Sequence, residues 1–194
     1  MSIIDNYHQQ VMRHKAEIKQ SESFHKATRE WIEQSIGCGY CYNFTWMGRP
    51  IIQYPQDIVA MQELIRSVEP DLIIETGIAH GGGLVFYASM LELIGGDGQV
   101  LGIEQHIFPE IRDEIEHHRM FRRITMLEGN SVSRSIIEKV SEIAHGKKRV
   151  LVALDSNHTH EHVLAELELY SPLVTKGSYL VVFDTMVNEV DESH

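Results

Sequence analysis

Short apolar runs alternate with amphipathic segments from Asp71 onward, and this alternation restricts the fold more than any other feature of the chain. Two of the runs, Val150–Leu154 and Tyr179–Phe183, are apolar throughout, as strands buried on both faces are. Strands that alternate with helices favour an α/β fold. We therefore predict a Rossmann-like, doubly wound and mainly parallel sheet. Its five predicted strands are Leu72–Glu75, Gln99–Glu104, Ile124–Leu127, Arg149–Asp155 and Ser178–Phe183.

The segments between the strands have the length and the apolar spacing of helices. A further helix precedes the first strand and ends before Pro70. The predicted helices are Pro55–Val68, Gly82–Ile94, Ile107–His118, Val132–Ala144 and Glu161–Tyr170.

The N-terminal quarter of the chain has a different pattern. Residues 3–35 are rich in charge with few apolar positions, which predicts one helix, either packed on the domain or on a second subunit, or simply solvated. Residues 37–55 contain glycines, prolines and aromatics and are predicted to be irregular, covering either the ligand site or only the sheet edge. We therefore divide the chain into an arm with an aromatic loop, residues 1–55, and a single Rossmann-like domain, residues 56–194.

Composition excludes several classes of partner. The formal net charge of −11 argues against nucleic acid and against an anionic membrane surface. No apolar run approaches the roughly 20 residues of a membrane span, and the N-terminus has no signal-peptide pattern, so we expect a cytoplasmic protein. Cys38 and Cys41 lack both a second ligand pair for zinc and the helix start of a redox motif, which indicates two reduced cysteines.

A glycine-rich turn follows the first predicted strand, within Leu72–Gly83. A strand, a glycine turn and a helix together present backbone N–H groups and a helix N-terminus to a ligand. The spacing from Gly77 to Gly81 does not match the dinucleotide fingerprint, and the turn lacks the lysine of a phosphate loop. The turn therefore suits a cofactor without phosphates, such as S-adenosylmethionine, with Glu75 facing its sulfonium or its amino-acid part.

An acid lies at or just after the end of every predicted strand: Glu75, Glu104, Glu128, Asp155 and Asp184. Ligands of such sheets bind at these strand ends. Glu104, 27 positions after Gly77, is placed to accept the ribose hydroxyls of a nucleoside cofactor, and the alternative is a surface carboxylate. Asp155 and Asp184 end neighbouring strands and could share a Mg²⁺ ion, or each could cap the segment that follows it.

Histidines cluster just after Asp155, at positions 158, 160 and 162. His158 is our candidate for a general base, and the alternative is a hydrogen-bonded structural residue. An iron site of two histidines and one carboxylate would need the ring nitrogens to converge. His160 and His162 begin a predicted helix, with Thr159 as its N-cap, and should diverge.

Several motifs together resemble the cephalosporin hydroxylase family, which includes rhamnosyl O-methyltransferases, over about residues 46–185. They are Trp46–Pro55, Ile73–Gly77, His80–Gly82, Leu154–His158, Tyr170–Val174 and Gly177–Tyr179. The resemblance implies a class I S-adenosylmethionine-dependent methyltransferase, often with Mg²⁺. It implies metal binding by Asp155 and Asp184. The cofactor residues that it implies are Glu75, Gly77, His80, Gly81, Gly82, Glu104, Asn130 and Ser131.

The sequence departs from the family pattern in four respects. Phe183 stands where an acid is common, Gly83 where serine is common, and Glu104 where aspartate is common. Two further strands, one antiparallel, would be expected after the fifth. We therefore expect either a truncated chain or another subunit beside the fifth strand.

The function that we predict from these features is an S-adenosylmethionine-dependent O-methyltransferase acting on a small hydroxylated molecule, a sugar or a secondary metabolite. Asp155 and His158 are its predicted catalytic residues. The alternatives are a metal-dependent hydroxylase with iron on Asp155, His158 and His160, and a non-catalytic partner subunit of the same fold. A homo-oligomer through the N-terminal helix or the open sheet edge is also expected.

Overall fold

A computed structural model describes residues 2–185 of the 194-residue chain. Its residues group into two compact units, Met1–Tyr40 and the chain from Cys41 onward. None of the helices in the described part is both long and apolar enough to cross a membrane. The helices are α1 (Ile3–Gln20), α2 (Glu22–Gly37), α3 (Pro55–Val68), α4 (Gly82–Ile94), α5 (Pro109–Glu116), α6 (Arg134–Ala144) and α7 (His160–Tyr170). The strands are β1 (Phe44–Trp46), β2 (Arg49–Ile51), β3 (Leu72–Thr76), β4 (Gln99–Glu104), β5 (Ile124–Glu128), β6 (Val150–Leu154) and β7 (Leu180–Val182).

The first unit contains two helices where the sequence predicts one. Ser2 starts α1 with a capping box, in which its hydroxyl accepts from the Asp5 N–H and the Asp5 carboxylate accepts from the Ser2 N–H. Ser21 then takes an extended conformation, and its hydroxyl accepts from the Phe24 N–H to start α2. The prediction of a single helix over residues 3–35 was therefore wrong, because a serine N-cap interrupts it.

The predicted irregular loop contains a β-hairpin, which belongs to the second unit. Strands β1 and β2 pair antiparallel around a turn in which Met47 and Gly48 both have positive φ. The Trp46 indole contacts Phe86 of α4 edge-on, with 4.9 Å between ring centroids, and donates to the Ser89 hydroxyl at 3.2 Å. This hairpin packs on α4 and lies in the compact unit that begins at Cys41. The division of the chain at residue 55 stays a prediction.

The second unit is built on a five-stranded parallel sheet in the order β5-β4-β3-β6-β7, which confirms the predicted fold class. Every residue of β3 and of β6 is buried. Side chains such as Ile73 pack with α3 and α4 on one face, and those such as Ile74 pack with α6 and α7 on the other. Burial of each such side chain contributes about 1.5–3 kcal/mol.

The strand order reverses at β3, which has β4 on one side and β6 on the other. The chain therefore runs to one side of β3 through β4 and β5, and to the other side through β6 and β7. The loops that follow β3 and β6 diverge, which forms a crevice at the carboxyl ends of these two strands. The glycine turn follows β3, and the loop that begins with Asp155 follows β6. The fold thus brings together the two stretches that the sequence marks as functional.

Candidate active site at the carboxyl edge of the sheet

Close backbone contacts hold the glycine turn against the neighbouring strands. Gly77 has φ +89°, and its N–H donates to the Ile103 carbonyl at 2.8 Å. A Cβ on Gly77 would lie 2.0 Å from the carbonyl oxygen of Asp155, and one on Gly82 would lie 2.2 Å from that of Pro50. Both positions require glycine because the chain after β6 and the hairpin approach the turn too closely for any side chain.

Arg49 of the hairpin holds the other end of the turn. Its guanidinium is buried, donates to the His80 carbonyl with Nε at 2.9 Å, and pairs with Glu114 of α5. The His80 side chain itself is exposed. The backbone of His80, rather than its imidazole, is therefore what the surrounding structure fixes.

Glu75 is buried at the end of β3, with only 3% of its surface exposed. Burial, together with the charge of Asp155, raises the pKa of Glu75 well above its usual range, and a hydrogen bond from Tyr87 opposes that shift. The oxygen Oε2 is buried without a hydrogen-bond partner. A Cβ on Gly83 would lie 2.3 Å from Oε1, so the glycine leaves room for this carboxylate.

A small cavity of about 50 Å³ lies beside Glu75. Asp155, Tyr87 and Phe183 also line it, together with the predicted cofactor residues Gly77, His80 and Gly82. Gly81 does not line it; it is the left-handed N-cap of α4, with Ile115 packed where a Cβ would be.

A larger open cleft of about 560 Å³ lies on the other side of the turn. Glu104 lines it and accepts the N–H groups of Ile78 at 3.0 Å and Ala79 at 3.3 Å through Oε2, and that of Gln105 at 2.8 Å through Oε1. Glu104 thus ties the glycine turn to β4. Each oxygen retains acceptor capacity toward the cleft.

The loop after β5 supplies the far wall of this cleft. Asn130 is exposed and accepts the Val132 N–H through Oδ1 at 3.0 Å, while Ser131 is buried. Asn130, Ser131, Glu104, Gly77 and His158 all line the cleft. Apart from Gly81, the predicted cofactor and catalytic residues are therefore divided between two adjacent cavities that share Gly77.

A buried polar network behind the cleft could not be predicted from any motif. Glu166 of α7 is 1% exposed and accepts the Ser156 hydroxyl at 2.7 Å. The Nε2 atom of His162 lies 3.3 Å from Glu166, 3.1 Å from the Ser131 hydroxyl and 3.2 Å from the Ser156 hydroxyl. The only signal in the sequence is the i,i+4 spacing of His162 and Glu166, which puts both on one face of a helix.

Asp155, His158 and Asp184 form a second cluster. One potential ligand atom from each lies within 4.8 Å of the others, and His158 Nε2 is 3.5 Å from Asp184 Oδ2. The Gln53 amide donates to Asp155 Oδ2 at 2.7 Å. Burial and the charge of Asp184 raise the pKa of Asp155 to about 7.

His160 is not part of this cluster, although its backbone begins α7. Thr159 occupies the predicted N-cap position, but its side chain makes no capping hydrogen bond. Within residues 2–185, therefore, the two histidines and one carboxylate of the alternative iron site do not converge. Both cysteines are free thiols, as the sequence predicts.

Known proteins share both the sequence pattern and the fold. The family described as rhamnosyl O-methyltransferase/CmcI matches residues 38–194. A rhamnosyl O-methyltransferase of Mycobacterium leprae is 32% identical over 148 residues, which are 74% of this chain and 61% of the relative. The chain thus spans about three fifths of that relative's length.

Two solved structures illustrate the similarity in fold. A Mg-SAM structure of CmcI has a TM-score of 0.55 and 17% identity, with 76% of this chain and 60% of that chain covered. An O-methyltransferase of Bacillus cereus in complex with SAH has a TM-score of 0.54 and 15% identity, with 77% and 64% covered. At these identities the structures support the fold alone. The match over residues 38–194, which agrees with the motifs around the glycine turn and Asp155, shows that the chain belongs to the rhamnosyl O-methyltransferase/CmcI family.

Proposed function

We propose that this chain is an S-adenosylmethionine-dependent O-methyltransferase acting on a hydroxyl group of a small molecule, a sugar or a secondary metabolite. Family membership supports the reaction class, as do a relative named for methyl transfer to a rhamnosyl group and a CmcI structure described as Mg-SAM. The observation that carries the proposal is Glu75, a buried carboxylate with one unpartnered oxygen beside a glycine turn.

The site fits the chemistry of this cofactor. A buried carboxylate oxygen without a partner is costly unless a cation or a donor reaches it, and the cofactor offers both a sulfonium and an ammonium group. Glycine at 77 lets the Asp155 carbonyl approach the turn, and glycine at 83 leaves room for the Glu75 carboxylate beside the start of α4. Glu104 and Asn130 line the adjacent cleft, where carboxylate and amide groups can bind a nucleoside.

The site also fits a divalent cation. Asp155 and Asp184 bring two carboxylates within reach of one ion. Burial, followed by the charge of Asp184, raises the pKa of Asp155, and a bound cation would favour its ionised form. Mg²⁺ bound there would lower the pKa of a coordinated substrate hydroxyl. Asp155 and Asp184 would hold the ion, and Gln53 orients the Asp155 carboxylate.

The chain's own residues would act mainly by positioning. In the reaction a bond forms between the substrate oxygen and the methyl carbon while the carbon–sulfur bond breaks, and the hydroxyl proton leaves. The glycine turn and Glu75 would fix the methyl donor, and alignment of the hydroxyl for in-line attack would supply much of the acceleration. His158, which lines the cleft, was predicted from the sequence to accept the proton.

Titration calorimetry with S-adenosylmethionine, with and without Mg²⁺, tests the proposal directly. We expect binding with one site per chain. The Asp155→Ala variant should lose turnover on a hydroxylated acceptor such as a rhamnoside while most cofactor affinity survives, because Asp155 serves the acceptor end of the site. Absence of cofactor binding would favour the non-catalytic alternative, and unchanged turnover in Asp155→Ala would remove Asp155 from the mechanism.

We further propose that the N-terminal arm assembles the protein into a homo-oligomer. Residues 1–40 contain five acidic and five Lys or Arg residues, whereas the chain as a whole has a net charge of −11. The first helix has no buried residue, and Ile3, Ile4, Tyr7 and Met12 are each more than 60% exposed. Light scattering after removal of residues 1–37 should show a smaller assembly. A cytoplasmic location stays a prediction from the sequence.

A further inference from the structure

The candidate metal cluster has an imidazole as its third member. His158 and Asp155 lie on the loop after β6, and Asp184 follows β7, so two adjacent strands place the three side chains. Their potential ligand atoms lie within 4.8 Å of one another. Ligands in adjacent positions around one ion at metal–ligand distances near 2.1 Å are about 3 Å apart, and opposite ligands about 4 Å. The three groups therefore need little movement to bind a single ion.

One immediate neighbour of the cluster is apolar, and one is an amide. Phe183, next to Asp184, is apolar and buried. Asp155 Oδ2 accepts the Gln53 amide, and the carboxylate retains acceptor capacity for an ion. His158 is only partly exposed, and its Nε2 lies 3.5 Å from Asp184 Oδ2. The ring thus faces the same point as the two carboxylates.

The chemistry of this donor set decides which ion it prefers. Mg²⁺ takes oxygen ligands and retains much of its water, whereas imidazole nitrogen binds first-row transition metals more strongly. Two carboxylates and one imidazole therefore suit Mn²⁺, Fe²⁺, Co²⁺ or Zn²⁺ better than Mg²⁺. A nitrogen that binds the ion has no lone pair left to accept a proton.

We propose that His158 is a metal ligand, and that together with Asp155 and Asp184 it makes this a site for a divalent first-row transition metal in preference to Mg²⁺. The inference deepens the proposed methyltransferase function, on which it rests, and it replaces the role of His158 as general base. His158 then holds the ion through a ring nitrogen, while the two carboxylates balance its charge.

Manganese titration of the chelator-treated full-length chain tests the proposal without reference to activity. Loss of the free Mn²⁺ signal in electron paramagnetic resonance measures Kd, and competition with Mg²⁺ measures the preference. We expect Mn²⁺ to bind at least about tenfold more tightly than Mg²⁺. Pulsed measurements on bound Mn²⁺ should show modulation from a directly bound imidazole nitrogen.

Matched variants identify the residue that supplies the nitrogen ligand. His158→Ala should abolish the nitrogen modulation and raise the Kd for Mn²⁺ by about tenfold or more. The ratio of the Mg²⁺ and Mn²⁺ dissociation constants should therefore be smaller than in the wild type. His160→Ala is the control, since it removes an exposed histidine two residues away that does not belong to the cluster, and it should change neither. Asp184→Asn should weaken Mn²⁺ binding but keep the nitrogen modulation in the ion that still binds. Circular dichroism establishes that each variant is folded.

Three results would overturn the inference. They are no Mn²⁺ binding, tighter binding of Mg²⁺ than of Mn²⁺, and bound Mn²⁺ whose nitrogen modulation persists in folded His158→Ala. Calorimetry with S-adenosylmethionine on the same preparation separates these results from failure of the proposed function. If S-adenosylmethionine binds but one of these three results is found, the inference about the metal site fails and the proposed function stands.

Discussion

Substitution of Gly77 by alanine tests whether the close packing at the turn organises the site. The added Cβ would lie 2.0 Å from the carbonyl oxygen and 2.7 Å from the carbonyl carbon of Asp155. Both atoms are backbone, so no side chain can rotate away, and the turn must move away from the chain after β6. Because that movement displaces the loop that carries Asp155 and His158, the site should be lost together with stability.

The expected magnitude has two parts. A non-glycine residue at φ +89° costs roughly 1–2 kcal/mol, and forcing an extra carbon into a packed region costs about 1–3 kcal/mol more. Gly48 isolates the first part, since it also has φ +89° but nothing lies within 4 Å of its would-be Cβ. Gly77→Ala should therefore destabilise the protein by about 1–3 kcal/mol more than Gly48→Ala does.

Urea denaturation followed by far-UV circular dichroism measures both variants, and calorimetry measures their affinity for S-adenosylmethionine. We expect Gly48→Ala to bind normally and Gly77→Ala to bind poorly. Equal losses of stability, or normal cofactor binding by Gly77→Ala, would show that the contact with Asp155 does not organise the site.

Three further predictions concern charged and polar groups of the site. Burial raises the pKa of Asp155 from the usual 3.8 to about 7, so between these pH values the native state holds a proton that the unfolded state has lost. With chelator present, the free energy of unfolding of the wild type should therefore fall as pH rises from 4 toward 7. The urea midpoint of Asp155→Asn should fall less steeply over the same range. Arg49→Lys should lower the free energy of unfolding by about 1.5–3 kcal/mol, because lysine cannot bridge the His80 carbonyl and Glu114 in the same way; a midpoint equal to wild type would contradict this. Tyr87→Phe leaves the Glu75 carboxyl without its hydrogen bond and should cost about 1–3 kcal/mol in a thermal melt, whereas a variant as stable as the wild type would show that the bond contributes little.

The central sheet could be predicted because its signals are local and strong. The apolar runs that became β3 and β6 are buried along their whole length, and helices α3 and α4 have the bounds that their apolar spacing and glycines indicate. The acids at strand ends also meet at one edge, as they must in a parallel sheet. The prediction that Asp155 and Asp184 lie near each other follows from this geometry.

The missed features depend on contacts between distant segments. The hairpin around Gly48 has strands of only three residues, which are too short to show the alternation of apolar and polar residues that marks a strand. It is stabilised by contacts such as that of Trp46 with Phe86. The network of His162 and Glu166 joins α7 to hydroxyls on two loops. Nothing in the local sequence distinguishes Glu166 from a solvated glutamate.

The break between the first two helices was recognisable in principle. Ser21 is followed by Glu22, a pairing typical of a helix start, but it lies within a long charged stretch where no apolar period marks a boundary. The charge pattern continues across the break. Local capping chemistry therefore decided the structure where periodicity was uninformative.

The two acids that line the small cavity, Glu75 and Asp155, bear on product release in the proposed reaction. In the proposed reaction, methyl transfer converts a sulfonium cation into a neutral thioether, so the bound molecule loses one positive charge at the moment the product forms. Glu75, which is buried, and Asp155, which is partly exposed, line that cavity, and low solvent exposure strengthens charge interactions. On the proposed function, the spent cofactor would be held less tightly than the fresh one, which would favour exchange of S-adenosylhomocysteine for S-adenosylmethionine after each turnover.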